Sequence, residues 1–381
     1  MSTKSLIFGD KVLLVIVLLL TLFSFFPVFS SSSYLSYVID GSSPIYYLVK
    51  HLIVILFGFI LMLSIKLVPF KLFRGMSIIL LPIGLALLVY TLSKGTIIGG
   101  SVASRWIDIP FIGISFQTSS LAAIIIITYS ARYLSKVELS KTKFSETLLP
   151  LWLPIFAYVF LIFPVNFSSA FLIFTALVIT LCISGFPLRH LFKVFLILGF
   201  ILTTFFFTAK TFPDKFPNRI DTWLSRIENF GSNKNLDASY QIERAKMAIN
   251  NGGLIGVGAG KSIMKNHLPQ SNSDFIFAII VEEWGSIGGA FIICLYILMF
   301  FRFLSITHRI DDRFGKILVS GLGVFIIIQA FTNISVATQI IPVTGQNLPL
   351  ISSGGSSAWM TCISLGMILS VSSSIKKKNG K

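Results

Sequence analysis

Ten long apolar stretches decide what this 381-residue chain can become. They fall at about 12–30, 46–66, 76–93, 116–134, 148–164, 168–186, 194–209, 274–301, 317–341 and 355–374. A helix rises ~1.5 Å per residue, so roughly 17–25 apolar residues cross the hydrocarbon core of a bilayer. In hydrocarbon each backbone N–H and C=O must be satisfied by the spanning structure itself, and long apolar runs do so as helices. Charged residues make up 12% of the chain, against roughly 25% in a soluble domain. The expected fold is all-α. It is a polytopic integral membrane protein of ten transmembrane helices, a single domain over 1–381, with a large extracytoplasmic loop at about 210–273 between the seventh and eighth helices. No small-x-small cleavage site follows the first run, which reads as an uncleaved helix.

The formal net charge is +16. Its distribution excludes nucleic acid as the partner, because Lys and Arg sit in short clusters between apolar runs, a pattern of membrane topology and anionic-lipid contact. Lys66, Lys71 and Arg74, then Arg132 to Lys143, Arg189 and Lys193, Arg302 to Lys316, and the tail Lys376 to Lys381 mark alternate connections. By the positive-inside rule both termini are cytoplasmic, and the segments Lys210–Ser273 and Pro342–Ser353 lie outside. Cys182, Cys294 and Cys362 are scattered inside apolar runs, which excludes a disulfide framework and a zinc site.

Three outer segments carry polar chemistry. Gly252 to Ser262 is glycine-rich, but a P-loop needs glycine where Ile255 stands. The segment is either a tight structural turn or a loop whose amides face a ligand. Asp274 sits where a polar loop meets an apolar helix, with Glu282 and Glu283 further along that helix. Asp274 or Ser273 could cap the helix, or the three carboxylates could face a polar cavity. Pro342 to Ser357 holds two prolines and three glycines, so it is irregular backbone that must be buried or line a cavity. Gln329 and Asn333 precede it on one helix face, at the spacing of interhelical hydrogen bonds. The Lys210–Ser273 connection shows no clear periodicity, yet its Trp223, Phe230 and Tyr240 favour an ordered structure resting on the bundle.

Ser273-Asp274-Phe275-Ile276-Phe277-Ala278 followed by Glu282-Glu283, the Pro342–Ser357 loop, Arg105-Trp106-Ile107 with Gln117, Tyr240-Gln241 and Gly252 to Gly260 together resemble the SEDS family (shape, elongation, division and sporulation). The resemblance covers nearly the whole chain and is closer to the division branch, through Arg105 to Gln117, Arg219 to Phe230 and Pro342 to Gln346. It implies a glycosyltransferase that polymerises lipid II, a disaccharide-pentapeptide on undecaprenyl diphosphate, into peptidoglycan strands. It implies a class B penicillin-binding protein as partner, other divisome membrane proteins and membrane lipid around it, and a place in the bacterial cytoplasmic membrane at the division septum. The family's essential aspartate falls on Asp274. An acceptor hydroxyl attacks the donor's anomeric carbon with inversion, and Asp274 is the general base, strengthened by desolvation at the bundle rim.

The departing diphosphate calls for cations: Lys50, Arg105, Arg219, Arg244, Lys261, Lys265 or a divalent ion such as Mg2+ or Mn2+. Supporting or substrate-binding roles are expected for Lys50, Arg105, Gln117, Arg219, Gln241, Lys261, Glu282, Glu283, Gln329, Asn333, Ser352, Gly354, Gly355 and Ser356. The chain departs from the family at Ser120 and Ala123, where an acid and a lysine are usual, at Gln270 and Asn272, and at Pro164-Val165 in place of Pro-Asp. Two rival readings are a lipid II flippase and a polymerase of cell elongation; a third is a non-catalytic holder of the penicillin-binding protein.

Overall fold

In the computed structural model the described residues are 9–35, 43–95, 105–109, 114–138, 142–211, 236–268 and 270–378. Each expected apolar run falls mainly within a helix. In chain order they are α1 (Lys11–Leu35), α2 (Pro44–Leu67), α3 (Phe70–Lys94), α4 (Thr118–Lys136), α5, α6 (Phe167–Ile183) and α7 (Leu188–Thr211). After α8 (Leu236–Gly252) come α9 (Ile276–Arg309), α10 (Arg313–Ala337) and α11 (Gly355–Lys378). The fifth, α5, is composite: Phe144–Thr147, a π turn at Leu148–Trp152, then Leu153–Ile162. Pro150 and Pro154 lack the N–H that a regular ladder needs, which accounts for the wide turn. Among the described residues seven helices are long and apolar enough to cross a membrane: α1, α2, α3, α5, α9, α10 and α11.

Two elements amend the expectation. The chain is not purely helical, because β1 (Trp106–Ile109) and β2 (Ile114–Gln117) pair antiparallel, with Trp106 opposite Gln117. The ribbon takes the first residues of the fourth expected run, so α4 begins at Thr118 rather than at residue 116. The connection after α7 also contains regular structure, α8. Its buried stripe is Ala245 and Ala248, one turn apart. Within the described residues α8 packs on α9, as an ordered cover would.

The bundle is built around α10 and α11, where 78% and 72% of the apolar window is buried, against 28% and 22% for α2 and α3. The outer helices therefore leave Leu, Ile and Phe side chains exposed, as at Leu67, Ile79 and Phe200. One end of the bundle is fastened by Arg302, whose Nε and terminal nitrogen donate to the Asp10 carboxylate at 2.8 and 2.6 Å. A two-pronged guanidinium–carboxylate pair fixes orientation as well as distance. The opposite end, where α9 and α11 begin and α10 finishes, gathers the polar loops.

Candidate active site

At that end Asp274 lies in a turn just ahead of the α9 span. Its carboxylate does not cap the helix: the cap position is Phe275, and no side chain bonds there. The turn is instead held by its main chain. Gln270, at φ +56, offers its carbonyl to the amides of Ser273 and Asp274 at 3.1 and 3.2 Å. Three successive carbonyls of the turn are then bound from the 342–354 loop and α10. Asn272 O accepts from Ser353 N at 3.0 Å, Ser273 O from Ser352 Oγ at 2.6 Å, and Asp274 O from Asn333 Nδ2 at 2.9 Å. Asn333 Nδ2 also donates to Gln346 O at 2.7 Å. With its main chain fixed, Asp274 presents Oδ2 toward Gly345, whose φ is +66; a Cβ there would stand 3.5 Å from that oxygen.

The carboxylate is half-buried. Burial pushes its pKa up to about 6, while a hydrogen bond from Ser273 and the charge of Arg105 pull it partly back. Arg105 is brought near by the β1–β2 ribbon and by a bond from its Nε to Val165 O at 2.9 Å. Gln117 N donates to Ser356 Oγ at 3.2 Å, pinning the ribbon to the start of α11. Beside Arg105 a small cleft of about 20 Å³ opens between α3, α4 and the α5–α6 turn. Its polar wall is Arg105, Thr118, Ser119 and Asn166, and its apolar wall includes Leu88, Leu92, Leu161 and Ile162.

Glu282 and Glu283 do not join Asp274. Both are fully buried, and they grip the glycine-rich segment. Glu282 takes the Ser262 hydroxyl and, at 3.3 Å each, the amides of Ile263 and Met264. Glu283 takes the hydroxyl of Ser30 from α1. The expected three-carboxylate cavity is thus two separate places, because a loop twenty residues upstream supplies the glutamates with donors.

The main chain completes this dock. Helix α9 breaks at Gly285, with φ +69 and ψ −175. Val257 N and Gly258 N donate to the carbonyls of Glu282 and Glu283 at 3.0 Å, and Ser286 N donates to Gly253 O at 2.9 Å. A Cβ on Gly285 would strike the Leu254 carbonyl, and one on Gly256 the Glu283 carbonyl. Glycine is required here for close backbone approach, which supports the structural-turn alternative for this segment.

The remaining candidates divide clearly. Asn333 and Ser352 bond the Asp274 turn and the charge of Arg105 reaches Asp274, while Gln117 N bonds Ser356 Oγ, Gly354 packs against the Asn347 side chain and Gly355 opens α11. Gln329 is buried one turn before Asn333 on α10. Lys50 and Lys261 are exposed and Gln241 is half-buried; among the described residues no bond ties them to Asp274. Lys265 is engaged by Gly260 O at 2.7 Å, and Arg244 lies over the Tyr240 ring at 4.8 Å. Arg219 lies outside the described residues. Sequence reasoning missed Asn166 and Ser169. Asn166 caps α6 by accepting from Ser169 N at 3.1 Å, and Ser169 Oγ accepts from Gln346 Nε2 at 3.0 Å. An Asn before an apolar run, two residues after Pro164, was a readable cap signal; Ser169 gave none.

The family model FtsW/RodA/SpoVE, described as cell cycle protein, matches residues 10–377. A probable peptidoglycan glycosyltransferase FtsW from Halomonas elongata is 30% identical over 372 residues, covering 96% of this chain and 90% of that protein. Stage V sporulation protein E from Bacillus subtilis is 30% identical over 367 residues, covering 95% and 96%. Among solved structures, a chain from work on coordination of polymerization and crosslinking by a peptidoglycan synthase complex aligns with a TM-score of 0.75 at 21% identity, covering 96% of this chain and 98% of its own. The rod shape determining protein RodA from Thermus thermophilus aligns at 0.67 and 21% identity, covering 96% of each chain. These two structures speak for the fold. The family match over nearly the whole length, with relatives of matching size, establishes that this chain belongs to the FtsW/RodA/SpoVE family of cell cycle proteins.

Proposed function

We propose that this chain is a peptidoglycan glycosyltransferase that polymerises lipid II on the outer face of the cytoplasmic membrane during cell division. Relatives named for that activity along nearly the full chain support the reaction. The single observation that carries the mechanism is one carboxylate, Asp274, clamped by its main chain and raised to about 6. Such a group is ionised at neutral pH yet basic enough to take a proton in a transition state.

In this reading the acceptor sugar's hydroxyl gives its proton to Asp274 as its oxygen attacks the donor's anomeric carbon. The diphosphate leaves from the opposite side, so the configuration inverts. Arg105 meets the departing charge, the electrostatic term that usually dominates such steps. A divalent ion, Mg2+ or Mn2+, is proposed as a companion of the diphosphate rather than a resident of the protein. Among the described residues no three His, Cys, Asp or Glu side chains gather, and Mg2+ is commonly held by one or two carboxylates, substrate phosphates and water.

All ten apolar helices cross the membrane in this reading, with both termini cytoplasmic and Asp274 outside. The single domain is completed by the cover that includes α8. A class B penicillin-binding protein is the proposed partner, in keeping with the fold neighbour from a peptidoglycan synthase complex. The test is the full chain, co-purified with that partner and fed lipid II. Long glycan strands are expected, reduced by EDTA and restored by excess Mg2+. No strands from a well-folded complex would remove the assignment. In cells a fluorescent fusion is expected at the septum, and signal spread along the side wall would assign it to elongation.

A further inference from the structure

Five hydrogen bonds link Asp274 to Arg105 by way of the turn at Val165 and Asn166. Asn333 Nδ2 bridges Asp274 O and Gln346 O at 2.9 and 2.7 Å. Gln346 Nε2 donates to Ser169 Oγ at 3.0 Å, and Ser169 N donates to Asn166 Oδ1 at 3.1 Å. Val165, the residue before Asn166, accepts Arg105 Nε at 2.9 Å. Asn333, Gln346, Ser169 and Asn166 are all at most 9% exposed. Water cannot readily replace a lost partner in such a place, so removing one group leaves the other orphaned and the turn must shift.

One link differs from the others. Asn333 and Asn166 grip main chain, whereas Gln346 and Ser169 meet side chain to side chain and so join the 342–354 loop to α6. Gln346 also directly follows Gly345, the residue that faces Asp274 Oδ2. A movement of Gln346 therefore changes the roof over the carboxylate. A movement of the α6 start changes the carbonyl that holds Arg105.

We propose that Gln346 and Ser169 are positioning residues: their bond is the adjustable member of a strut that fixes the separation between the Asp274 carboxylate and the Arg105 guanidinium. That separation sets where the attacking hydroxyl and the departing diphosphate lie relative to each other. The strut rests on the reading of Asp274 as base and Arg105 as the diphosphate's cation. Its effect is on geometry at the reacting atoms, so it appears in kcat and not in substrate capture.

The experiment is a double-mutant cycle in the full chain with its partner, using lipid II as the probe. Ser169→Ala and Gln346→Leu are each expected to lower kcat about tenfold, since small misplacements at reacting atoms are costly, with KM within about twofold. The double variant is expected to be no slower than the slower single, because both partners of one bond have then gone. Ser169→Thr keeps the hydroxyl and is expected to hold kcat within about threefold of wild type. Wild-type kcat in both singles, or losses that multiply in the double, overturn the strut. If Ser169→Ala does not fold, Gln346→Leu decides alone, and full kcat there overturns it. Asp274→Asn is assayed alongside. If it is dead while the strut variants run at wild-type rate, only the strut fails. If it is active, the base reading fails and the strut loses its purpose, a distinct result.

Discussion

Asp274→Asn is expected to cut lipid II polymerisation by about 10²–10⁴-fold, the range a general base contributes. The substitution keeps shape and removes only the basic oxygen. The fold should survive it, because the clamps on this turn reach main-chain atoms: Ser353 N, Ser352 Oγ and Asn333 Nδ2 bind the carbonyls of residues 272, 273 and 274. Membrane yield, thermal stability and co-purification of the partner should therefore match wild type. The measurement is strand length and rate from purified lipid II. A variant within about tenfold of wild type would mean that another group takes the proton.

The second large effect is on stability. Gly285→Ala should destabilise the protein severely, because two costs add. The residue holds φ +69 with ψ −175, a region that non-glycine residues enter only at about 1–3 kcal/mol. The new Cβ would also meet the Leu254 carbonyl of the docked segment, and backbone cannot turn aside as a side chain can. Gly260→Ala is the matched control: φ there is +76, but no atom lies within 4 Å of the new Cβ. It carries the conformational cost alone. Thermal unfolding of the detergent-solubilised full chain should show a much larger drop for Gly285→Ala. Equal drops would mean that the segment 253–258 is not seated on the broken helix.

Much of the architecture was legible because hydrocarbon imposes its demand residue by residue. Each expected run lies mainly within a helix, though ends shift by as much as from 301 to Arg309, and among the described residues seven helices are long and apolar enough to cross a membrane. The ribbon was not legible: Trp106–Ile109 and Ile114–Gln117 are four residues each, too short to show alternation, and the second merges with the apolar start of α4. Helix α8 was missed inside the long connection, although its buried Ala245 and Ala248 and partly buried Ile249 share one face. At the site, Asp274 stood out as a carboxylate at a polar–apolar junction. Glu282 and Glu283 stood out for the same reason, yet serve a different place. Their partners are Ser262, Ile263, Met264 and Ser30, and no local pattern links those residues to two glutamates far along the chain. The role of Asn333 was half legible. Its spacing with Gln329 suggested a bond to another helix, whereas it bridges two loop carbonyls.

The rank of Arg105 among the candidate cations likewise needed the structure. In sequence it was one of six, and the ribbon register and the Val165 carbonyl are what place its charge within reach of Asp274. Among the other five, Lys265 is engaged by the dock, Arg244 lies on an aromatic ring, Lys50 and Lys261 are exposed, and Arg219 lies outside the described residues.

The pH dependence of lipid II polymerisation tests the central role of Asp274 most directly. In the proposed reading the working form of the base is the Asp274 carboxylate, and burial raises its pKa to about 6. The rate should therefore be level at neutral pH and fall as pH drops through about 6, and the residual rate of Asp274→Asn should lack that acid limb. A wild-type rate that stays flat down to about pH 5, or an acid limb that persists unchanged in Asp274→Asn, would contradict it.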